Sequence, residues 1–243
     1  MKFQSLLRSE LYLGRKTLLT WTVIITGLLA MFVAATSMIL DNAEMVELLK
    51  NYPQALLDSF NINLESFTTF EGWMASEPYV FFVMLLSAFA IALSSTSISK
   101  EIDGRTGEFL FTTPLSRRTI FWAKAAAHFV QISLVFFIGI VVVLLLGSAI
   151  TKVTNTTGLF FVLLSGYFIA LASAGVGYAL SSLIDNERTA LSLGVGFVLL
   201  SFLFKTLAGL GGFINNLAKL SIFQLFDVLA ILKTNSFTCQ ARY

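Results

Sequence analysis

The sequence predicts an all-α protein that crosses a lipid bilayer several times, and three observations carry that expectation. Apolar residues make up 56% of the 243 positions and charged residues only 12%, where a soluble domain is about one quarter charged. Mean hydropathy is +0.83. Five stretches, Leu18–Leu40, Tyr79–Ile98, Ala125–Ile150, Gly158–Ile184 and Ala190–Leu210, contain a single formal charge between them, Lys205. Each is long enough as a helix to cross a hydrocarbon core about 30 Å thick, and so few charges inside them is what the cost of charge in lipid demands. The composition excludes disorder. A net charge of +2 with no concentrated basic face makes no case for a nucleic-acid partner. The single cysteine, Cys239, excludes an intrachain disulfide.

Taken in order, residues 1–17 interleave Phe3, Leu6, Leu7, Leu11 and Leu13 with Arg8, Glu10, Arg15 and Lys16. This spacing predicts an amphipathic helix along the membrane interface; the alternative is a plain charged flank. After the first span, 18–40, the connection 41–78 holds Asp41, Glu44, Glu47, Asp58, Glu65, Glu71 and Glu77 against Lys50 alone. It is an acidic loop in which short helices are expected at Ala43–Lys50 and Gln54–Phe60. Its carboxylates invite a cation, but acidic residues also accumulate wherever basic ones are disfavoured. The second span, 79–98, leads into the connection 99–124 with Lys100, Arg105, Arg117, Arg118 and Lys124. Spans 125–150, 158–184 and 190–210 follow, joined by short connections. Basic residues concentrate in 1–17, 99–124 and at Arg188, which places those segments and the N-terminus in the cytoplasm. The last part, 211–243, offers the apolar stretch Ile222–Leu232, interrupted by Asp227 and too short to cross. The tail after the fifth span is therefore expected on the outside.

The connection 99–124 is richer than topology needs. Gly104 and Gly107 permit a break after the second span, Glu108–Thr112 can form a short helical turn, and Thr113-Pro114 places a cap before a proline at a first helical position. The product is a short element that exposes Phe109 and Phe111 among Glu101, Glu108, Arg117 and Arg118. Aromatics ringed by charge suggest a docking surface.

Glu101, Arg105-Thr106, Glu108-Phe109-Leu110, Pro114 and Ser116-Arg117 together resemble the cytoplasmic connection of type-2 ABC transporter permeases. The resemblance extends over roughly residues 1–235. It implies that this connection holds a coupling helix seated in a separate ABC ATPase subunit, with Glu101, Thr106, Glu108, Phe109, Leu110, Phe111, Pro114, Ser116 and Arg117 forming the contact. It further implies a second permease chain, identical or related, a bacterial inner-membrane location, and a pathway between the two chains, most simply for export. Gly104 and Gly107 depart from the Gly-Thr pair of many family members.

No Gly-x-x-x-x-Gly-Lys-Ser/Thr phosphate loop occurs. The chain is therefore expected not to be an enzyme and to bind no cofactor itself, with ATP and Mg in the partner ATPase. The spans hold no serine with a basic partner, aspartate pair or His-Glu-x-x-His motif for intramembrane catalysis. The family usually has six spans, and by the resemblance Ser221–Leu232 matches the outer re-entrant segment that precedes the sixth, so 211–243 is expected as an outer re-entrant segment and tail, with deeper insertion of 211–235 as the alternative. The chain is then expected to lack the last span, which lends weight to the alternative to an exporter, a non-transporting immunity, sensing or scaffold subunit. Lys205 is a candidate pathway residue meeting anionic cargo, or it snorkels to the interface. His128 is expected to hydrogen-bond near the interface. The small residues Gly166, Ala170, Ala174 and Gly177, with Ala88 and Ala92, are expected to let helices approach closely.

Overall fold

A computed structural model describes residues 3–40, 69–104, 116–207 and 221–237. The helices among them are α1 (Phe3–Leu40), α2 (Phe70–Met74), α3 (Glu77–Ser95), α4 (Ser99–Asp103), α5 (Arg117–Ile150), α6 (Thr156–Leu183), α7 (Glu187–Leu207) and α8 (Val228–Thr234), with a 3-10 turn at Ile222–Gln224. Five of these described segments are long and apolar enough to cross a membrane: α1, α2 with α3, α5, α6 and α7. The all-α polytopic expectation holds.

The helices start where the sequence supplies a side-chain acceptor for an otherwise orphaned N–H. Thr69 accepts from the backbone of Gly72, Ser116 from Thr119, Asn155 from Gly158 and Asp227 from Ala230. α8 ends on Asn235 at φ 51°, a left-handed stop that asparagine tolerates. Within the spans, hydroxyls donate to the carbonyl one turn back, as Thr22 does to Leu18, Thr26 to Thr22 and Ser173 to Ile169. A hydroxyl so paired meets its hydrogen-bonding need within its own helix, whereas the buried hydroxyls of Ser87 and Ser95 have no hydrogen-bond partner among the described residues.

α3 forms the centre, with Phe82, Leu86, Phe89 and Ile91 almost wholly buried. α1 meets it through Trp21, whose ring lies 5.6 Å from that of Phe89, and α5 through Phe136, 6.5 Å from Phe82. α6 lies closest. A Cβ on Gly166 would collide with Val83, and one on Gly177 with Ser94. Gly166, Ala170, Ala174 and Gly177 are all buried, as a packing stripe should be. Ala88 and Ala92 are only half-buried, and α3 meets those two glycines with Val83 and Ser94 instead. The outer surface is apolar, with Val23 69% and Leu145 65% exposed, which is stable only where the surrounding medium is itself apolar.

Pairwise contacts set the directions. Leu6 clusters with Ile120 and Ala123 while Leu29 lies beside Gly139, so α1 and α5 are parallel. Tyr79 meets Ser165 and Ile98 meets Ser181, so α3 and α6 are parallel too. α7 opposes α3, with Gly194 against Ser95 and Lys205 near Tyr79. One end of the bundle therefore carries Arg8, Arg15, Lys16, Lys100, Arg117, Arg118 and Arg188; it is called the basic end below.

Two sequence-based expectations meet a different arrangement. α1 runs unbroken from Phe3 to Leu40. Residues 3–17 are helical but continuous with the first span, with Leu6 buried against α5 rather than laid out separately. α5 begins at Arg117 on the Ser116 cap, ahead of position 125, because hydropathy marks lipid depth whereas capping marks where hydrogen bonding begins. The proposed cap Thr113-Pro114 lies outside the described residues. So do the expected loop helices Ala43–Lys50 and Gln54–Phe60, residues 211–220 and the last six positions.

Candidate functional site

The candidate site is the connection between the second and third spans, and the described residues give its two ends. Thr106, Glu108, Phe109, Leu110, Phe111 and Pro114 lie outside them; Glu101, Ser116 and Arg117 lie within. On the entering side, α3 passes through a turn at residues 96–98 into α4. That turn leaves N–H groups without intrahelical partners, and α6 supplies one. The Ile98 and Ser99 N–H groups donate to Ser181 Oγ at 2.8 and 3.4 Å, and the Ser99 and Ser181 hydroxyls lie 3.3 Å apart. Both serines are buried.

One turn further, Glu101 faces Lys124. The Lys124 ammonium donates to Glu101 Oε1 at 3.0 Å and to Glu10 Oε1 at 2.8 Å. Lys124 is 5% exposed, so three charges from α1, α4 and α5 meet in a largely desolvated place. Two carboxylates sharing one ammonium is a stable arrangement there only while the cation is present. At the end of α4, Asp103 Oδ2 accepts from the Glu187 N–H at 3.2 Å and from Asn186 Nδ2 at 3.4 Å. A carboxylate at the first turn of α7 also suits that helix's dipole.

On the leaving side, Ser116 caps α5 and its hydroxyl lies 2.8 Å from that of Thr119. One turn past Lys124, His128 Nδ1 shares a 2.9 Å hydrogen bond with Tyr178 of α6, and the two rings stack at 13°. The connection is thus joined to α1, α5, α6 and α7 close to where it leaves and re-enters the bundle.

Lys205, the other candidate, is at the opposite end of the bundle. It is half-buried with its ammonium 6.0 Å from the centroid of the Tyr79 ring, at the outer limit of a cation–π contact. Tyr79 in turn lies 2.9 Å from Ser165. The structure does not bring Lys205 to the connection 99–124.

Glu10, Lys124, Ser181 and Asp103 were not anticipated. A signal existed for the first two: Glu10 precedes the first apolar run, Glu101 follows the second and Lys124 precedes the third, so opposite charges sit at similar depth on three segments. The acidic connection holds a second unanticipated contact. Glu71 is buried and accepts from the N–H of Thr154, from the N–H of Asn155 at 2.6 Å and from the Thr154 hydroxyl at 3.1 Å. That carboxylate therefore fastens α2 to the start of α6, and the described residues contain no group of three His, Cys, Asp or Glu able to hold a metal ion. Asn155 also donates to the Leu232 carbonyl at 3.0 Å, tying α8 to the same place.

In comparison with known proteins, the chain matches the family described as "ABC-2 family transporter protein" over residues 2–238. No curated protein matches it. No solved structure matches it either.

Proposed function

The chain belongs to the ABC-2 transporter family, and from that premise we propose that it is the membrane-spanning permease subunit of an ATP-driven exporter. A separate ABC ATPase docks on the connection 99–124, and two permease chains form the pathway between them. ATP-driven closure of the ATPase displaces Phe109, Phe111 and their neighbours, and the spans rock between inward-open and outward-open states. The basic end faces the cytoplasm in this reading.

The observation that carries the proposal is the bracing of the connection's two ends. Glu101 is held by Lys124, which Glu10 also engages, Ser99 by Ser181, and Asp103 by the start of α7. A loop that only joined two helices would not need four helices to hold it. Rigid ends support transmission of force, because packed elements move as units rather than deform continuously. Charge-poor spans favour apolar or amphiphilic cargo.

The test is co-purification with an ABC ATPase of the same organism, sought first in the neighbouring reading frames. Phe109→Ala and Glu108→Ala are each expected to reduce recovery of the complex and its transport-linked ATPase activity at least about tenfold, the loss typical of a central aromatic or charged contact. Recovery of complex and activity with both replacements in place overturns the docking assignment.

A further inference from the structure

Between α5 and α6, in the half of the bundle nearer the basic end, a groove of about 390 Å³ opens to the side. It is lined chiefly by Trp122, Ala126 and Phe129 of α5 and Leu171, Gly175 and Tyr178 of α6. Gly175 explains why the groove exists. A Cβ built there meets nothing within 4 Å, whereas a Cβ on Gly177, two residues along the same helix, would strike Ser94. One glycine allows helix contact and the other leaves a space. The Tyr178 hydroxyl is engaged by His128, so the tyrosine offers the groove its ring.

Three features select the occupant. The groove opens laterally between two membrane-spanning helices, so what enters comes from the bilayer. Trp122 to Ile132, the extent of its lining along α5, covers about 15 Å of helix rise, which is half a hydrocarbon core of about 30 Å. That is the depth of one leaflet, and it suits an acyl chain better than a spanning helix of a second copy. Finally, Arg118 precedes Trp122 by one turn and so lies on the same face of α5; it is exposed at the basic end. An arginine at the mouth of an apolar groove, at headgroup level, complements a phosphate.

We propose that this groove is a binding site for an anionic glycerophospholipid, with one acyl chain along Gly175 and the headgroup phosphate on Arg118.

Trp122 reports occupancy. The full-length chain is placed in nanodiscs containing acyl-brominated phosphatidylglycerol or acyl-brominated phosphatidylcholine, and the Trp122 signal is taken as the difference between the unmodified chain and Trp122→Phe. Phosphatidylglycerol is expected to reach half-maximal quenching at a mole fraction about fivefold lower, as one arginine near a membrane surface allows. Arg118→Gln should abolish that preference while quenching by phosphatidylcholine persists. Gly175→Leu fills the groove and should reduce quenching by both lipids. Gly196→Leu, at a glycine on α7 that is equally open, should leave quenching unchanged and controls for the added bulk. Equal quenching by the two lipids in the unmodified chain overturns the proposal. It is also overturned if Gly175→Leu leaves quenching intact and instead dissociates a dimer, which would make the groove a contact between copies.

Discussion

Lys124 holds carboxylates from two different helices, and burial decides what its loss does. Its side chain is 6% exposed and those of Glu10 and Glu101 are 19% and 22% exposed, so the ammonium is desolvated and the carboxylates retain some water. Removing the cation leaves two like charges facing each other, and breaking a buried pair from one side costs about 3–5 kcal/mol. The residual exposure argues for the lower end of that range. Lys124→Met is therefore expected to destabilise the chain by about 3 kcal/mol, read from thermal or denaturant unfolding in detergent. Adding Glu10→Gln and Glu101→Gln to the same chain should recover most of the loss. A Lys124→Met effect under about 1 kcal/mol would mean that the three groups are solvated independently. From sequence, Lys124 reads as one more basic residue flanking a span. Its partner Glu10 is 114 positions away, and nothing in local spacing ties the two together.

The helices themselves were legible because lipid imposes a length and a polarity that leave little freedom. Their ends were less so, since a cap such as Ser116 is a hydrogen-bonding fact that hydropathy does not register. The small residues of α6 show a similar division. Periodicity identified Gly166, Ala170, Ala174 and Gly177 as a contact stripe, and they are buried, but it could not say what each one meets. Gly177 lies against Ser94 of α3, while Gly175 faces open space. Gly177→Leu is expected to force α3 and α6 apart and cost about 3 kcal/mol, the upper part of the range for overpacking a close contact. Gly175→Ala adds a methyl where there is room and removes a flexible glycine from a helix, so it should gain about 0.5–1 kcal/mol. Unfolding curves for the two variants in the same detergent decide the matter. Similar losses in both would show that α6 does not distinguish a packed side from an open one.

At the scale of the whole molecule, the pairing of parallel helices α1 with α5 and α3 with α6, and the opposition of α7 to α3, require consecutive spans to alternate in direction. Alternation then distributes the connections between two ends. The start of α1, the connection 99–124 and the turn from α6 to α7 share one end, while the connection 151–155, the close of α7 and α8 share the other, as the Asn155–Leu232 hydrogen bond requires. The first of these ends carries Arg8, Arg15, Lys16, Lys100, Arg117, Arg118 and Arg188, against Lys152, Lys205 and Lys233 among the described residues at the second. Basic residues in short connections are retained on the cytoplasmic side, and moving each one across a membrane potential costs about 2.3 kcal/mol per 100 mV, so the imbalance predicts an orientation with the first end in the cytoplasm. With Cys239→Ser as background, a membrane-impermeant maleimide applied to intact cells is expected to label Thr157→Cys and Ser236→Cys. It should label Ser9→Cys and Asp185→Cys only after the membrane is opened. All four positions are exposed, so failure to react reports sidedness rather than burial. Labelling of Ser9→Cys and Ser236→Cys from the same side would contradict an odd number of crossings between them. Labelling of Asp185→Cys in intact cells would invert the orientation and remove the connection 99–124 from reach of any cytoplasmic ATPase.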